Sequence, residues 1–167
     1  MSSDPAKVLV RPAEPDDAEP LAHCHLACWR EAYTGLVDPA PLQAALATPE
    51  HRIERWRQIL SRPHGNLLAV DAGEIIGFAA TGPVRDDDLD VPLELYALYV
   101  RQAWWGRGLG HRLLTAATGN EDCSLWVLQE NPRARRCYER HGFVADGTEK
   151  LDDYFHAREI RMVRRGR

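Results

Sequence analysis

Residues 93–114, LELYALYVRQAWWGRGLGHRLL, restrict the fold more than any other stretch of this chain. Leu93–Val100 is an apolar run of strand length, and Gly106, Gly108 and Gly110 space the loop after it. Leu109, Leu113 and Leu114 then recur at helical spacing. A strand that passes through such a loop into a helix leaves the first helical amides without partners, and those amides favour an anion above them. Glycine lets the backbone approach a phosphate closely and accepts positive φ. The order predicts an anion site, above all one for the pyrophosphate of a cofactor.

The loop itself excludes two common nucleotide sites. A nucleotide-hydrolysing P-loop needs Lys and then Ser or Thr after its second glycine, whereas His111 and Arg112 follow Gly110. The dinucleotide fingerprint needs G-x-G-x-x-G, whereas this loop reads G-x-G-x-G with Leu113 in the last glycine's place. Taken alone, the loop is equally consistent with a tight strand-to-helix turn.

A second stretch adds to it. Leu125–Leu128 is a short apolar strand, followed by NPRARRCYERHGF from Asn131 to Phe143. Asn131 is a favoured helix cap, Pro132 suits the first helical position, and Gly142 marks the end. Ala134, Cys137, Tyr138 and His141 share one face, and Asn131 lies two turns before Tyr138 on it.

Val100–Leu114 and Asn131–Phe143, in this order and at this separation, resemble the cofactor loop and the N-x-x-A-x-x-x-Y-x-x-x-G-F helix of the GNAT superfamily of acyl-CoA-dependent N-acetyltransferases. The resemblance implies an α/β fold with a mixed, mostly antiparallel sheet of about six or seven strands. The sheet would splay between the fourth and fifth strands, with about four flanking helices. It implies one N-acetyltransferase domain over residues 1–167, residues 1–6 frayed and residues 93–145 forming the cofactor and catalytic core. Acetyl-CoA would be the co-substrate, with no metal. Its pantetheine arm would pair with backbone groups of Leu98, Tyr99 and Val100, as an added strand would. Its pyrophosphate would rest on the amides of Gly106, Arg107, Gly108, Leu109, Gly110 and His111. Asn131 would touch the arm, cap its helix, or do both. The chain departs from the family at Trp105, where Gln or Arg is usual; the backbone amides beyond it do not depend on that side chain.

Acetyl transfer to an amine requires a neutral nitrogen and a proton for the departing thiolate. Tyr138 stands where the family commonly places a tyrosine near the thioester sulfur, and is the candidate acid; otherwise it is a core tyrosine whose hydroxyl finds a backbone partner. Glu94, fourteen residues before Gly108, matches the strand glutamate that histone-modifying members use as base. Its alternative is a solvent-facing side chain on a half-exposed strand. Trp126 occupies the place where ribosomal-protein terminal acetyltransferases carry their base, which argues against a peptide N-terminus as acceptor. Acceptor recognition is expected in the N-terminal third. There Trp29 and Tyr33, at i and i+4, form either a packing pair or the wall of a pocket, and Glu31 is placed to hold an ammonium.

The remaining features bound the partners. A net charge of −4 suggests neither nucleic acid nor membrane binding, and the absence of a long apolar run or signal-peptide pattern makes a cytoplasmic location the default. Cys24, Cys28, Cys123 and Cys137 contain no C-x-x-C pair; among His23, Cys24, His25 and Cys28 adjacent residues point in different directions on a helix whose cysteines face the core, and no metal is assigned. Asp86–Asp90 reads as a solvated acidic turn, and Arg158, Arg161, Arg164, Arg165 and Arg167 as one face of a last strand and a loose tail. Strands are expected over 7–11, 67–70, 75–82, 93–100, 125–128, 144–148 and 158–163. Helices are expected over 18–33 and 49–60 besides those of the two motifs, with Gly35 and Pro39 breaking the chain between. The acceptor is expected to be a small-molecule amine or an exposed lysine, and the protein a monomer or homodimer. The rival is a catalytically weak CoA-binding module of regulation or assembly.

Overall fold

The computed structural model describes residues 4–166. One seven-stranded sheet runs through them, from β1 (Leu9–Pro12), β2 (Gly65–Asp71), β3 (Glu74–Gly82) and β4 (Leu93–Val100) to β5 (Cys123–Leu128), β6 (Val144–Leu151) and β7 (Arg158–Arg164). The spatial order is β1-β2-β3-β4-β5-β7-β6. Every neighbouring pair is antiparallel except β4 and β5. This is the mixed, mostly antiparallel sheet that the sequence implies.

Five α-helices flank it: α1 (Ala18–Tyr33), α2 (Pro39–Ala47), α3 (Pro49–Leu60), α4 (Leu109–Thr118) and α5 (Pro132–Arg140). Of these α2 was not expected. Pro39, read as a breaker, is its first residue, where proline loses no hydrogen bond, and the Asp38 side chain accepts from the Ala40 amide at 3.0 Å. Residues 4–6, expected to fray, begin a short 3-10 turn; the Arg112 guanidinium ties it down by donating to the Pro5 and Val8 carbonyls at 2.7 and 2.9 Å. Residues 1–3 lie outside the described residues.

Strand alternation divides the core between two faces. Leu68 and Phe78, paired across β2 and β3, pack with Leu21, Ile53, Trp56 and Leu60 of α1 and α3. Ala69, Ile76, Ala79, Leu125 and Val127 pack on the other face with Leu109, Leu113 and Leu114 of α4 and Tyr138 of α5. Gly77 is required there: a Cβ would stand 2.8 Å from the Tyr99 carbonyl oxygen.

The sheet splits between β4 and β5. They pair only over Leu93–Leu95 and Cys123–Leu125. Beyond that, β4 pairs with β3 alone and β5 with β7 alone. The local cause is a bulge: Ala80 faces Ala97 and Thr81 faces Leu95, so Tyr96 is the extra residue. A bulge bends its strand and increases its twist. Here it falls at the residue where β4 parts from β5.

Candidate active site

The split forms a cleft of about 150 Å³. Its walls are residues 96–100 of β4 and 126–128 of β5, with Asn131, Ala134, Cys137 and Tyr138 from α5 and Cys28, Ala32 and Tyr33 from α1. Leu98, Tyr99 and Val100 turn one backbone edge to β3 and have no strand on the other. At the end of β4 a 3-10 turn (Gln102–Trp104) leads to Gly106 and Gly108, both at positive φ, +71° and +82°. Gly108 is the left-handed N-cap of α4, a conformation that costs a side chain about 1–2 kcal/mol. The amides of Leu109, Gly110 and His111 precede the first intrahelical bond, from Arg112 to the Gly108 carbonyl. The first turn of α4 holds no acidic residue, and Arg107 adjoins it. The sequence-derived anion loop thus opens from the cleft, and Gly110 lines both.

The Trp105 side chain has a definite place. Its indole N–H donates to the Val100 carbonyl at 2.8 Å, and the Arg133 guanidinium of α5 stacks on its ring at 3.6 Å. Trp105 and Arg133 together link the end of β4 to the start of α5. His111 and His141 make a second link between α4 and the end of α5, at 2.5 Å. The Nδ1 of His141 donates to the Cys137 carbonyl at 2.7 Å, so its Nε2 accepts when the ring is neutral and His111 donates.

Asn131 caps α5 through its side-chain oxygen, which accepts from the Ala134 amide at 3.2 Å, and also lines the cleft. Tyr138 is 8% exposed. Its hydroxyl has no hydrogen-bond partner among the described residues, unlike that of a core tyrosine bonded to backbone. Burial pushes the phenol pKa well above the ordinary tyrosine value, with Cys137 and Tyr99 adding to the effect. The group is a protonated donor at neutral pH.

Glu94, read as a base or as a solvent-facing side chain, is buried and ion-paired. Its side chain is 1% exposed, not solvent-facing, and its carboxylate is not free. Arg85 binds Oε1 through Nη2 at 2.6 Å and Oε2 through its backbone amide at 2.9 Å. Glu31, expected to hold a substrate ammonium, is likewise engaged. Arg101 donates to Oε1 at 3.0 and 2.9 Å, and the Gln102 amide donates to Oε2 at 2.8 Å. This pair fastens the end of α1 to the segment after β4.

Trp29 and Tyr33 form a packing pair at 6.5 Å that also reaches the site. The Trp29 indole donates to the Tyr99 hydroxyl at 3.1 Å, and the Tyr33 and Tyr99 hydroxyls share a hydrogen bond of 2.7 Å. Both line a second hollow of about 320 Å³, on the side of the split away from α4. This hollow also contains residues the sequence reading missed: Arg52 of α3, Lys150 of β6, Tyr154 and Phe155 between β6 and β7, and Glu159 of β7. No local pattern marks them, because β7 reaches the site only through the order β5-β7-β6.

The acidic turn is exposed at Asp87, Asp88 and Asp90, as expected, and it is also ion-paired. Asp88 binds Arg161 at 2.7 and 3.0 Å, Asp146 binds it at 2.6 Å, and Asp86 lies 3.5 Å from it. Asp86 further accepts from the Trp126 indole at 3.0 Å. The turn is therefore bolted to the strands beside the hollow. The C-terminal arginines do not share one face of β7, because Arg161 alternates with Arg158 and Arg164 and is buried. Arg158 pairs with Glu149, and Arg164 donates to the Thr118 hydroxyl and the Glu121 carbonyl. Arg165 donates to the Asp90 carbonyl, and Arg167 lies outside the described residues.

Comparison with known proteins agrees with this arrangement. The family described as Acetyltransferase (GNAT) domain matches residues 63–145. A probable N-acetyltransferase of Mycobacterium tuberculosis is 32% identical over 150 residues, covering 86% of this chain and 83% of its own. An uncharacterized N-acetyltransferase of Bacillus subtilis is 29% identical over 132 residues, covering 75% and 74%. The crystal structure of PaiA N-acetyltransferase from Thermoplasma acidophilum, in complex with coenzyme A, superposes over 99% of both chains with a TM-score of 0.76 at 20% identity. With a relative matched along most of its length and the split sheet in place, this chain belongs to the GNAT family of acetyltransferases.

Proposed function

We propose that the protein transfers the acetyl group of acetyl-CoA to a primary amine, of a small molecule or an exposed lysine, by direct attack with both substrates bound. The observation that carries this reading is the unpaired β4 edge, which leads from the Tyr138 hydroxyl to the glycine loop. A slender amide-bearing arm fits such an edge by strand-like pairing. The free amides at the start of α4, with basic side chains and no acid around them, suit a pyrophosphate. The coenzyme A bound to the Thermoplasma relative supports the same ligand here.

In this reading Leu98, Tyr99 and Val100 hold the arm through their backbone, residues 106–111 hold the pyrophosphate, and Asn131 borders the arm while capping α5. Tyr138 supplies the proton that the departing thiolate needs. Direct attack gains from holding both reactants in register. Glu94 would have to exchange Arg85 for the acceptor before it could act as base. We therefore assign it to fixing the junction where β4 leaves β5, in place of proton transfer.

The test is a thermal-shift titration with acetyl-CoA, CoA, ATP and NAD, followed by thiol release in the presence of an amine panel. A ligand at a hundredfold excess over its Kd stabilises the folded state by about 2.7 kcal/mol. Saturable stabilisation by acetyl-CoA with amine-dependent thiol release supports the reading. Stabilisation without turnover for any amine favours a CoA-binding module, and equal response to ATP or NAD refutes the assignment of the loop.

A further inference from the structure

The hollow beside the cleft leaves one cation, Arg52, without a carboxylate and one carboxylate, Glu159, with only a long ion pair. Three cations and three carboxylates line it: Arg52, Arg85 and Lys150, with Glu94, Asp152 and Glu159. Arg85 and Glu94 neutralise each other at 2.6 Å. Asp152 is occupied by its own turn, accepting from the Tyr154 and Phe155 amides at 3.1 and 2.5 Å. Lys150 sits over the Trp126 ring at 4.1 Å and comes no closer to Glu159 than 3.9 Å, the outer limit of an ion pair.

Arg52 stacks on Trp29 at 4.4 Å and has no carboxylate within ion-pair distance among the described residues. Burial lowers its pKa, the mark of a guanidinium stripped of water without an anion in exchange. Glu159 shows the opposite shift, again from burial first and then from Asp152. Each group alone is costly to desolvate, and a ligand carrying both complementary charges would relieve both.

Their positions are not equivalent. Glu159 is the one carboxylate that lines both the hollow and the cofactor cleft. Arg52 instead joins the hollow to a larger groove of about 760 Å³ along α3, which Arg55 and Arg62 also line. The hollow therefore has an acidic group at the cofactor side and basic groups at the other. Tyr33, Tyr99 and Trp29 supply aromatic wall between.

We propose that the acceptor is a primary amine that also carries an oxyanion, a carboxylate or a phosphonate-like group, with its ammonium at Glu159 and its anion at Arg52. The proposal deepens the acetyl-transfer reading above and rests on it. Glu159 takes one proton from the ammonium, and the neutral amine's lone pair forms the new C–N bond at the thioester carbonyl. The C–S bond then breaks, and the thiolate takes the Tyr138 proton. The second proton released by nitrogen restores the phenol, while the proton on Glu159 passes to solvent. The sum is amide, CoA thiol and one proton.

The experiment measures thiol release from acetyl-CoA with three matched series: ω-amino carboxylates from β-alanine upward, aminoalkyl phosphonates, and plain alkylamines of the same chain lengths. A hydrogen-bonded charge contributes roughly 1.5–3 kcal/mol, so an anionic acceptor should exceed its plain counterpart in kcat/KM by about 10- to 100-fold. The preferred series distinguishes carboxylate from phosphonate. Arg52→Met should erase the preference without changing the KM for acetyl-CoA, and Arg52→Lys, which keeps the charge but not the fork, should retain part of it. Glu159→Gln should lower kcat by about 10²- to 10⁴-fold at unchanged acetyl-CoA affinity, with partial recovery in Glu159→Asp.

Plain amines used as well as anionic ones, a preference that survives Arg52→Met, or Glu159→Gln within threefold of the parent would each overturn the proposal. So would binding of acetyl-CoA with no turnover of any series. A protein that binds no acetyl-CoA at all would instead overturn the cofactor assignment beneath it.

Discussion

His25 should make the fold sensitive to mild acid. It is 6% exposed, and the rings of Trp29, Trp56, Phe78 and Tyr99 surround it at centroid distances of 4.6, 5.8, 5.0 and 5.2 Å. Its Nδ1 accepts the Trp56 indole N–H at 3.1 Å, which fixes the neutral Nε2–H tautomer. A proton on Nδ1 would meet that donor head-on. Burial, and then the charge of Arg52, hold the folded-state pKa well below the ordinary histidine value. Below about pH 6.5 the unfolded chain therefore binds a proton that the folded chain refuses, and stability falls as pH falls, by about 1.4 kcal/mol per unit, until the folded-state pKa is reached. The contribution is complete about one unit above pH 6.5, and the loss at about pH 5 is at most about 2 kcal/mol, the limit in which the folded protein takes up no proton.

His25→Gln supplies a non-titrating control, since its amide oxygen can accept the same indole proton. Urea unfolding at fixed ionic strength, from about pH 7.5 to about pH 5, should show the parent losing more stability than the variant, by up to about 2 kcal/mol. The other histidines are present in both proteins and drop out of the difference. Parallel stability profiles would refute the reasoning, because they would mean that His25 accepts its proton in the folded state at no cost.

Three further outcomes are expected. Tyr138→Phe should lower kcat by about 10²- to 10⁴-fold and leave acetyl-CoA affinity within about threefold, and unchanged turnover in a steady-state assay would remove the phenol from the chemistry. Arg161→Met should leave the partly buried Asp86 and Asp146 beside an apolar side chain at a site where Arg161 is only 5% exposed, while Asp88 stays in solvent. Because those carboxylates keep some solvent, the loss falls below the range for broken buried pairs, at about 2 kcal/mol, which scanning calorimetry should register as a Tm lower by roughly 4–8 °C. Gly108→Ala introduces no clash, since nothing lies within 4 Å of the new Cβ, but it strains a φ of +82°. It should cost about 1–2 kcal/mol in urea unfolding and weaken acetyl-CoA binding, and a variant with parental values for both would show that the left-handed cap is dispensable.

What the sequence revealed follows from the range of the forces involved. The helices over 18–33 and 49–60, and the helix begun by Asn131 and Pro132, were legible because caps, prolines and apolar spacing act within a few residues. Helix α2 escaped because PAPLQAALA is almost uniformly apolar or small, so it shows no stripe, and its proline was taken as a stop. The glycine loop and the split sheet were legible through two linked patterns. The partners of charged residues were not. Asp88 and Arg161 are 73 residues apart, Glu31 and Arg101 are 70 apart, and only the strand order brings each pair together. For the same reason nothing in the sequence singles out Glu159, which β7 places between two cavities.

The break in pairing between β4 and β5 also decides what cannot enter. An open strand edge at a protein surface invites any extended chain, including that of a neighbouring copy, to add itself to the sheet. Here the unpaired edge of β4 lies inward, with α1 on one side, α5 on the other, and only about 150 Å³ between them. A β-strand from another molecule would bring side chains to both faces and a partner edge of its own, for which there is no room. The fold thus keeps a sticky edge permanently available while screening its visitors by girth.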